Sequence, residues 1–340
     1  MASAGNDQSF VLSLGAGSLE VTVATLGATV TSVRLPAHAG GASLQAVLAF
    51  TSLEDYRRRL PGASYLGTTV GRCANRIKGG RCTVDGQEVV LPCNNNGHHL
   101  HGGPAGWSTK TWDVEEVQPS KLRLALLSPH MDEGYPGEVR ATVTFELTDP
   151  LTLSMSYSAT TTARTIVNMT NHSFWNLSGD SCLPVLHTHR LKMSCESIVQ
   201  VDDTLIPTGQ LVPMTEWTAL DFSDWAHLGD KVVDSGGVDH CYVVKRDDQE
   251  LSLAADLQCE ASNWGMRVHT DQPGVQVYTA NFLPPLRLSD SPARFTTRHC
   301  GVCLETQAFP NAANMWPAQV ALAPGGTYRH RTTHTFYRLS

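Results

Sequence analysis

The stretch Glu138-Val-Arg-Ala-Thr-Val-Thr-Phe-Glu-Leu147 decides the fold, because apolar and polar residues alternate along it. After the turn Thr148-Asp-Pro150 the alternation resumes in Leu151-Thr-Leu-Ser-Met-Ser-Tyr-Ser158. Successive side chains of a β-strand point to opposite faces, so this alternation predicts strands with one apolar and one polar face. The two runs and their short turn therefore predict an antiparallel hairpin with one face exposed to water.

Similar short runs recur along the chain, separated by turns rich in Gly, Pro and Asn. They span residues 19–25, 28–35, 121–127, 164–170, 251–257, 266–270, 275–279 and 327–339. Helical periodicity is nearly absent, except at residues 51–58, where we expect Thr51 to cap a short helix with Glu54 at the capping-box position. The pattern predicts an all-β protein, a large and mostly antiparallel β-sandwich or barrel. Since no Gly/Ser linker divides the sequence, we expect a single domain over residues 1–340.

The composition of the 340-residue chain is that of an ordinary globular protein, with 41% hydrophobic and 17% charged residues. A net charge of -7 without any basic run argues against a nucleic-acid partner. The N-terminal residues MASAGNDQSF carry neither a basic nor an apolar segment, and no window has the apolar length of a membrane span. We therefore expect a soluble, cytoplasmic monomer that binds a small molecule and does not associate with membranes.

Nine cysteines are scattered along the chain, an odd number that suits free thiols in a reducing compartment. The pair Cys300-Gly-Val-Cys303 has the spacing of a metal or redox site. No second pair completes a zinc site and no helix signal follows, so we interpret the two cysteines as small strand residues.

The loop Asn94-Asn-Asn-Gly-His-His-Leu-His-Gly-Gly103 concentrates three histidines. The spacing of His99 and His101 would place both rings on one face of a strand, as in metal-binding sandwiches. His187 and His189 repeat this spacing, which keeps a metal site open as an alternative. Neither pair has an obviously placed Asp or Glu nearby, and we predict that His187 and His189 are solvated strand residues.

Two segments contain candidates for acid–base chemistry. In Val167-Asn-Met-Thr-Asn-His-Ser-Phe-Trp-Asn-Leu177, His172 lies among amides and aromatic residues, which suit a sugar, and it could serve as a general acid. In Val302-Cys-Leu-Glu-Thr-Gln-Ala-Phe-Pro-Asn311, Glu305 follows an apolar run, and burial there would raise its pKa toward that of a general base. The alternatives are a structural core histidine and a solvated glutamate at a strand end.

Three further segments carry polar residues that are suited to hydroxyl groups. Asn75 and Arg76 lie among small residues in the segment 71–77, Asp239 follows a glycine pair, and Gln276 sits within a strand-like run. Taken singly, each signal is weak. A surface turn, a glycine-rich turn and an edge-strand amide are the respective alternatives.

Eight motifs follow one another in a fixed order. They are Gly-Arg-x-Ala-Asn-Arg-Ile at 71–77, Leu-His-Gly-Gly at 100–103, Glu-Gly-Tyr-Pro-Gly at 133–137, Thr-Asn-His-Ser-x-x-Asn-Leu at 170–177, Leu-Ile-Pro-Thr-Gly at 205–209, Gly-x-Asp-His at 237–240, Pro-Gly-Val-Gln-x-Tyr-Thr at 273–279 and Leu-Glu-Thr-Gln at 304–307. As a set they resemble the aldose 1-epimerase (galactose mutarotase) family from about residue 15 to the C-terminus.

The resemblance implies a β-sandwich of large curved sheets, the galactose mutarotase-like supersandwich, with a sugar-binding cleft. It implies that the α and β anomers of aldohexoses such as galactose and glucose are interconverted without a metal or cofactor. Glu305 would be the general base and His172 the general acid, on opposite sides of one pyranose ring, and His101 would assist at the ring oxygen. The hydroxyl groups would be held by Asn75, Arg76, Asp239 and Gln276.

The sequence departs from the family pattern at several positions near these motifs. Phe174 and Trp175 stand where Tyr-Phe is commoner, Val238 replaces a common Phe, and Asn311 replaces an Asp. None of these changes removes a proposed catalytic group, although they leave the preferred sugar open. Three other functions are also open: a non-catalytic sugar-binding sandwich, a cupin-like metal enzyme using the His pairs, and a glycoside hydrolase using Asp239 and Glu305.

Overall fold

The computed structural model describes residues 7–37, 42–59, 64–231, 236–289 and 296–340, and strands dominate all but the shortest of these segments. The strands are β1 (Ser9–Ser13), β2 (Glu20–Ala24), β3 (Thr29–Leu35), β4 (Leu44–Gln45), β5 (Thr69–Val70), β6 (Arg76–Ile77), β7 (Arg81–Val84), β8 (Gln87–Val90), β9 (His99–Leu100), β10 (Asp113–Gln118), β11 (Lys121–Ser128), β12 (Val139–Asp149), β13 (Thr152–Thr161), β14 (Thr165–Ile166), β15 (Thr170–Asn171), β16 (Phe174–Trp175), β17 (Arg190–Met193), β18 (Cys195–Val201), β19 (Pro207–Pro213), β20 (Ala226–His227), β21 (Asp239–Val244), β22 (Ser252–Cys259), β23 (Trp264–Thr270), β24 (Gly274–Tyr278), β25 (Val302–Gln307), β26 (Ala321–Leu322) and β27 (Tyr328–Arg338).

Helices are short and lie in the connections between strands. They are α1 (Leu53–Arg59), α2 (Ala312–Met315) and single 3-10 turns at Lys78–Gly80, Trp107–Thr109, Asp132–Gly134, Met214–Glu216, Thr218–Leu220, Leu228–Asp230, Glu260–Ser262 and Pro317–Gln319. Among the described residues, none of the helices combines the length and the apolar character needed to span a membrane.

The hairpin predicted from the alternating stretch is present as β12 and β13, which pair antiparallel along their whole length. Phe145 lies opposite Met155, and both side chains are buried in the main core. On the other face, Arg140 is exposed and Glu146 is half-buried, but Thr142, Thr152 and Ser154 are buried, so the polar face meets water only in part.

Two large antiparallel sheets pack face to face, which confirms the predicted fold class. One has nine strands in the order β10-β11-β12-β13-β27-β23-β22-β17-β20, and the other has six in the order β16-β25-β24-β21-β18-β19. The core between them takes Val277 and Leu304 from the six-stranded sheet and Met266 and Phe336 from the nine-stranded sheet. Because side chains alternate along a strand, the residues next to Val277 and Leu304 point away from this core.

The predicted strand at 164–170 is interrupted. It splits into β14 and β15 because the backbone between them bonds elsewhere: the Val167 amide donates to the Val320 carbonyl and the Asn168 amide to the Arg72 carbonyl. This break places the following segment, which carries His172, across the end of the six-stranded sheet, where β16 pairs with β25.

The predicted helix at 51–58 forms as α1, but its cap lies one residue later than expected. Ser52 Oγ accepts a hydrogen bond from the Asp55 amide at 3.1 Å and donates to the Asp55 carboxylate at 2.9 Å. The reciprocal pair is therefore Ser52 with Asp55 rather than Thr51 with Glu54. The Thr51 hydroxyl instead donates to Asp55 Oδ2 at 2.6 Å.

The prediction that His187 and His189 are solvated strand residues is wrong for His189. Its side chain is fully buried, and Nε2 accepts a hydrogen bond from the Leu177 amide at 2.8 Å. Both histidines precede β17, and only His187 is exposed. The two rings therefore do not form a ligand pair on one strand face.

The packing of the hairpin gives a direct test of the fold. Replacing Phe145 with Ala removes a fully buried ring from the core between the sheets, and we expect a loss of about 3–5 kcal/mol in the free energy of unfolding. Urea denaturation followed by tryptophan fluorescence measures this loss. Glu146→Ala, on the opposite face of the same strand, should change the stability by about 0.5 kcal/mol or less. Equal effects in the two variants would contradict the assignment of faces.

Candidate active site

A cleft with a volume of about 320 Å³ opens on the face of the six-stranded sheet that points away from the core. The structure brings to this one cleft all seven residues proposed from the sequence: Asn75, Arg76, His101, His172, Asp239, Gln276 and Glu305. These residues span more than two-thirds of the chain, so the fold rather than local sequence assembles the site.

Three neighbouring strands supply the floor of the cleft. Glu305 on β25 lies directly opposite Gln276 on β24, and Asp239 begins β21 on the other side of β24. Gln276 Nε2 donates a hydrogen bond to Asp239 Oδ1 at 2.6 Å. The adjacent residues Val277 and Leu304 point into the core, so alternation along each strand forces the polar side chains outward into the cleft.

His172 lies in the connection between β15 and β16 and packs against two aromatic rings. Tyr65 stacks on it at 5.7 Å between ring centroids, and Phe174 packs at 5.1 Å. Its Nε2 lies 3.6 Å from Glu305 Oε1, and its Nδ1 lies 3.5 Å from the sulfur of Cys303. These contacts restrict the orientation of the imidazole, with Nε2 toward Glu305.

His101 reaches the cleft because the chain turns sharply around it. His101 and Asn75 both adopt the left-handed backbone conformation, with φ of 52° and 61°. His101 Nδ1 accepts a hydrogen bond from the Asn75 amide at 3.2 Å. Burial lowers the pKa of His101 well below its ordinary value, so the ring is neutral and carries its single proton on Nε2, where it acts as a donor.

The other two histidines of the loop at 94–103 make contacts within the protein. His99 is fully buried, donates from Nδ1 to the Pro92 carbonyl and accepts the Tyr135 hydroxyl at Nε2. His98 Nδ1 accepts the Gly79 amide at 3.1 Å. The rings of His99 and His101 therefore do not share a face, contrary to the expectation for a strand with this spacing.

The Arg72 side chain connects the motif at 71–77 with the motif at 133–137. Its side chain is 1% exposed and packs 5.5 Å from the centre of the Tyr135 ring. The guanidinium donates to the Ser128 hydroxyl and to the carbonyls of Ser128, Pro129, Tyr135, Pro136 and Gly137. This buried arginine ties the loop at 128–137 to the segment that carries Asn75 and Arg76.

The carboxyl and imidazole groups of the cleft have strongly shifted pKa values. Burial, reinforced by the nearby Asp239, raises the pKa of Glu305 well above its ordinary value, and Arg76 opposes the shift. Burial also raises the pKa of Asp239 and lowers the pKa of His172 to about 4. A raised carboxyl pKa beside a lowered imidazole pKa favours a proton on Glu305 over one on His172.

Three buried polar atoms that belong to residues lining the cleft have no hydrogen-bond partner among the described residues. They are Arg76 Nε, Gln276 Oε1 and Glu305 Oε2. Buried polar groups in folded proteins are nearly always paired, so three unpaired atoms in one cleft indicate a ligand with several hydroxyl groups. The same cleft can therefore offer a donor, an amide acceptor and a carboxyl group to one small molecule.

A metal ion is the alternative ligand of this cleft. One nitrogen of His101, one of His172 and one carboxylate oxygen of Glu305 lie within 4.8 Å of one another. However, Nδ1 of His101 already accepts the Asn75 amide, which leaves the protonated Nε2 toward the group. A protonated nitrogen cannot bind a metal ion, so the hydrogen bonding of His101 disfavours a metal site.

The sequence did not single out three aromatic residues that line the cleft: Tyr65, Tyr278 and Phe282. Tyr278 follows Gln276 by two positions on β24 and so shares its face, a spacing that could have identified it. Phe282 is 62% exposed at the mouth of the cleft and stacks on Tyr278. Tyr65 comes from a loop with no periodicity, and no signal in the sequence places it here.

The departures noted in the sequence lie around the site without removing its polar groups. Phe174 packs directly on the ring of His172, and Val238 is buried in the core. Asn311 supports Arg76 from below, because its amide donates to the Arg76 carbonyl at 2.7 Å and its Oδ1 accepts the Lys78 amide at 3.0 Å. The first contact is made by the backbone, and only the contact with Lys78 needs a side-chain oxygen at position 311, which an asparagine provides.

Comparisons with known proteins identify the family. A sequence profile of the aldose 1-epimerase family matches residues 11–335. The chain is 38% identical to rat galactose mutarotase over 327 residues, covering 95% of this chain and 92% of the relative. It is 31% identical to the aldose 1-epimerase of Escherichia coli K12, covering 93% of this chain and 91% of the relative.

Solved structures agree with this relationship. An aldose epimerase homologue from C. elegans superimposes with a TM-score of 0.88 at 26% identity, covering 98% of this chain and all of that one. A galactose 1-epimerase from Lactobacillus acidophilus shares the fold, with a TM-score of 0.80 at 23% identity, covering 98% and 99% of the two chains. The protein is a β-sandwich enzyme of the isomerase class, and its chain belongs to the aldose 1-epimerase family.

Proposed function

We propose that this protein interconverts the α and β anomers of aldohexoses such as galactose and glucose, with Glu305 and His172 as its acid–base pair. The observation that carries the proposal is the contact between Glu305 Oε1 and His172 Nε2, 3.6 Å apart in a buried cleft. The membership of the family and the polar floor of the cleft support a sugar as the substrate.

The short distance between the two groups fits the chemistry of a hemiacetal. The hydroxyl O1 and the ring oxygen O5 are both bonded to C1, so an acid and a base that act on them must lie side by side. From the sequence we expect Glu305 and His172 on opposite sides of the ring. Their 3.6 Å separation favours a different arrangement, with both groups at one edge of the sugar, next to the anomeric carbon.

During ring opening one proton moves to Glu305 and one leaves His172. Glu305 removes the O1 proton, the C1–O5 bond breaks, and His172 Nε2 donates a proton to O5. Rotation about the C1–C2 bond then presents the other face of the carbonyl. Closure returns the O5 proton to His172 and the Glu305 proton to O1, so neither the protein nor the sugar gains or loses a proton overall.

Glu305 and His172 share one titratable proton beyond the N–H of the neutral imidazole. This proton must lie on His172, as an imidazolium, when the closed sugar ring reacts. Burial favours the proton on Glu305, since it raises the pKa of Glu305 and lowers that of His172. Arg76 lowers the pKa of Glu305 and so favours the transfer of the proton to His172 Nε2. We propose that Arg76 has this electrostatic role as well as that of a hydroxyl ligand.

The remaining polar groups would hold and orient the sugar. Asp239 and Gln276 form a hydrogen-bonded pair that offers acceptors, and Arg76 offers donors. His101 donates from Nε2 toward the ring oxygen, because its Nδ1 is engaged by the Asn75 backbone. Asn75 would contribute its side-chain amide to a hydroxyl group.

The compartment and assembly state are also proposals. All nine cysteines lie within the described residues and each is a free thiol. Free thiols, several of them deeply buried, suit the reducing cytoplasm. We propose a cytoplasmic monomer.

The central prediction concerns the acid–base pair. Glu305→Gln and His172→Asn should each lower kcat by about 100- to 10,000-fold, because each removes one proton-transfer group. Polarimetry of freshly dissolved α-galactose measures the rate. Glu216→Gln, at an exposed position outside the cleft, should retain the full rate. A rate close to that of the wild type in both cleft variants would contradict the assignment.

The pH dependence follows from the shared proton. Binding of a second proton, with the His172 pKa at about 4, removes the base, whereas loss of the only proton, at the raised pKa of Glu305, removes the acid. We expect kcat/KM to fall on the acid side near pH 4, well below the ordinary histidine value of about 6.5. An acid limb near 6.5 in polarimetric pH profiles would show that His172 titrates as an ordinary exposed imidazole.

The rival functions predict different results from one set of assays. A metal enzyme would lose activity in EDTA and contain metal in stoichiometric amount, and we expect neither. A hydrolase would release reducing sugar from an aryl galactoside, and we expect none. A non-catalytic binding protein would show saturable galactose binding without any acceleration of mutarotation over buffer.

A further inference from the structure

Strand β25 contacts both nitrogens of the His172 ring. Glu305 Oε1 lies 3.6 Å from Nε2, and Cys303 Sγ lies 3.5 Å from Nδ1. Cys303 and Glu305 are two positions apart, so both side chains leave the same face of the strand. One strand therefore contacts both nitrogens of the imidazole, with the carboxyl group of Glu305 at Nε2 and the thiol of Cys303 at Nδ1.

The spacing of Cys300 and Cys303 had suggested a redox or metal pair, and the structure gives the second cysteine a different environment. Cys303 lies on β25, whereas Cys300 precedes the strand, and both side chains are fully buried. Burial, with Glu305 and Asp239 nearby, raises the pKa of the Cys303 thiol well above its usual range. The sulfur is therefore a protonated, chemically inert group that can donate or accept one weak hydrogen bond.

The proton transfers of the proposed reaction determine whether the sulfur donates or accepts the hydrogen bond. When His172 gives its Nε2 proton to the ring oxygen, the neutral ring that remains has its proton on Nδ1. The imidazolium form also carries a proton on Nδ1. Throughout the proposed reaction Nδ1 is thus a donor, and the atom that faces it is Cys303 Sγ.

We propose that Cys303 is a positioning residue: its sulfur accepts the Nδ1 proton of His172 and thereby keeps Nε2 directed at the substrate. This inference rests on the proposed function. A sulfur is a weaker acceptor than a carboxylate or a carbonyl oxygen. It orients the imidazole without strongly stabilising the imidazolium, so His172 remains a strong acid toward the ring oxygen.

Contacts at the nitrogen atoms of His172 are needed to direct Nε2 at the substrate, because the aromatic neighbours contact the faces of the ring. Tyr65 and Phe174 pack against the ring, but contacts with its faces do not distinguish the imidazole from its 180° flip about the Cβ–Cγ bond, which moves Nδ1 and Nε2 to the other side. Contacts at Nδ1 and Nε2 make that distinction. The titratable groups around the ring, besides Cys303, are Glu305, His101, Tyr65 and Tyr278.

Three variants test the proposal by polarimetry. Cys303→Ala removes the acceptor and should lower kcat about 3- to 10-fold with little change in KM, since the contact acts on proton transfer rather than on binding. Cys303→Ser keeps an acceptor on a shorter side chain and should recover part of the loss. Cys300→Ala removes a sulfur that is equally buried and should leave kcat unchanged, which controls for lost packing.

The pH profile separates positioning from a structural effect. Cys303→Ala removes the acceptor of the Nδ1 proton, and the charged imidazolium loses more by this than the neutral ring does. The acid limb of the kcat/KM profile, which belongs to His172, should therefore move to lower pH, whereas Cys300→Ala should leave it in place. If Cys303→Ala shows the kinetics and pH profile of an active wild type, the proposal is wrong. An inactive wild type would instead overturn the proposed function itself.

A measurement on the unmodified protein covers the case in which Cys303→Ala does not fold. Nitrogen-15 NMR of histidine-labelled protein, assigned by comparison with His172→Asn, reports which nitrogen of His172 is protonated. We expect a protonated Nδ1 in the neutral ring. A bare Nδ1 with the proton on Nε2 would show that the thiol donates, and would overturn the proposal.

Discussion

The structure depends on placing a carboxyl group and an imidazole against each other where water is largely excluded. Glu305 is 2% exposed and His172 is 5% exposed. A lone buried charge of either sign would be expensive, and sharing one proton lets the pair stay neutral or form a contact ion pair. The same burial that makes the pair costly brings the proton affinities of its members into the range that proton transfer to and from a sugar requires.

The architecture supplies this environment from two directions. The six-stranded sheet gives one face to the core and the other to the cleft, so Val277 and Leu304 enter the core while their neighbours Gln276 and Glu305 line the cleft. The imidazoles come from loops that pack over the sheet, and buried side chains such as Arg72 and Tyr135 hold the segments that carry Asn75, Arg76 and His101. Rigid strands thus fix Glu305, and hydrogen-bonded loops fix His172, the groups that we propose as base and acid.

Much of this was predictable from the sequence because it follows from local periodicity. The alternation at 138–147 predicted a hairpin that the structure contains, and the motifs predicted the seven residues that meet in the cleft. The failures arise where distant backbone decides the outcome. The strand expected at 164–170 breaks because its amides bond to residues near 72 and 320, and the burial of His189 depends on the Leu177 amide. The closeness of Glu305 to His172, and the contact of Cys303 with the same ring, are likewise invisible in a sequence.

The most direct test of the account is the crystal structure of the Glu305→Gln variant with bound galactose. The account predicts that C1 faces the pair, with O1 within hydrogen-bonding distance of the residue 305 side chain and O5 within hydrogen-bonding distance of His172 Nε2, about 2.6–3.2 Å in each case. A galactose bound in the cleft with its anomeric carbon turned away from both side chains would contradict it.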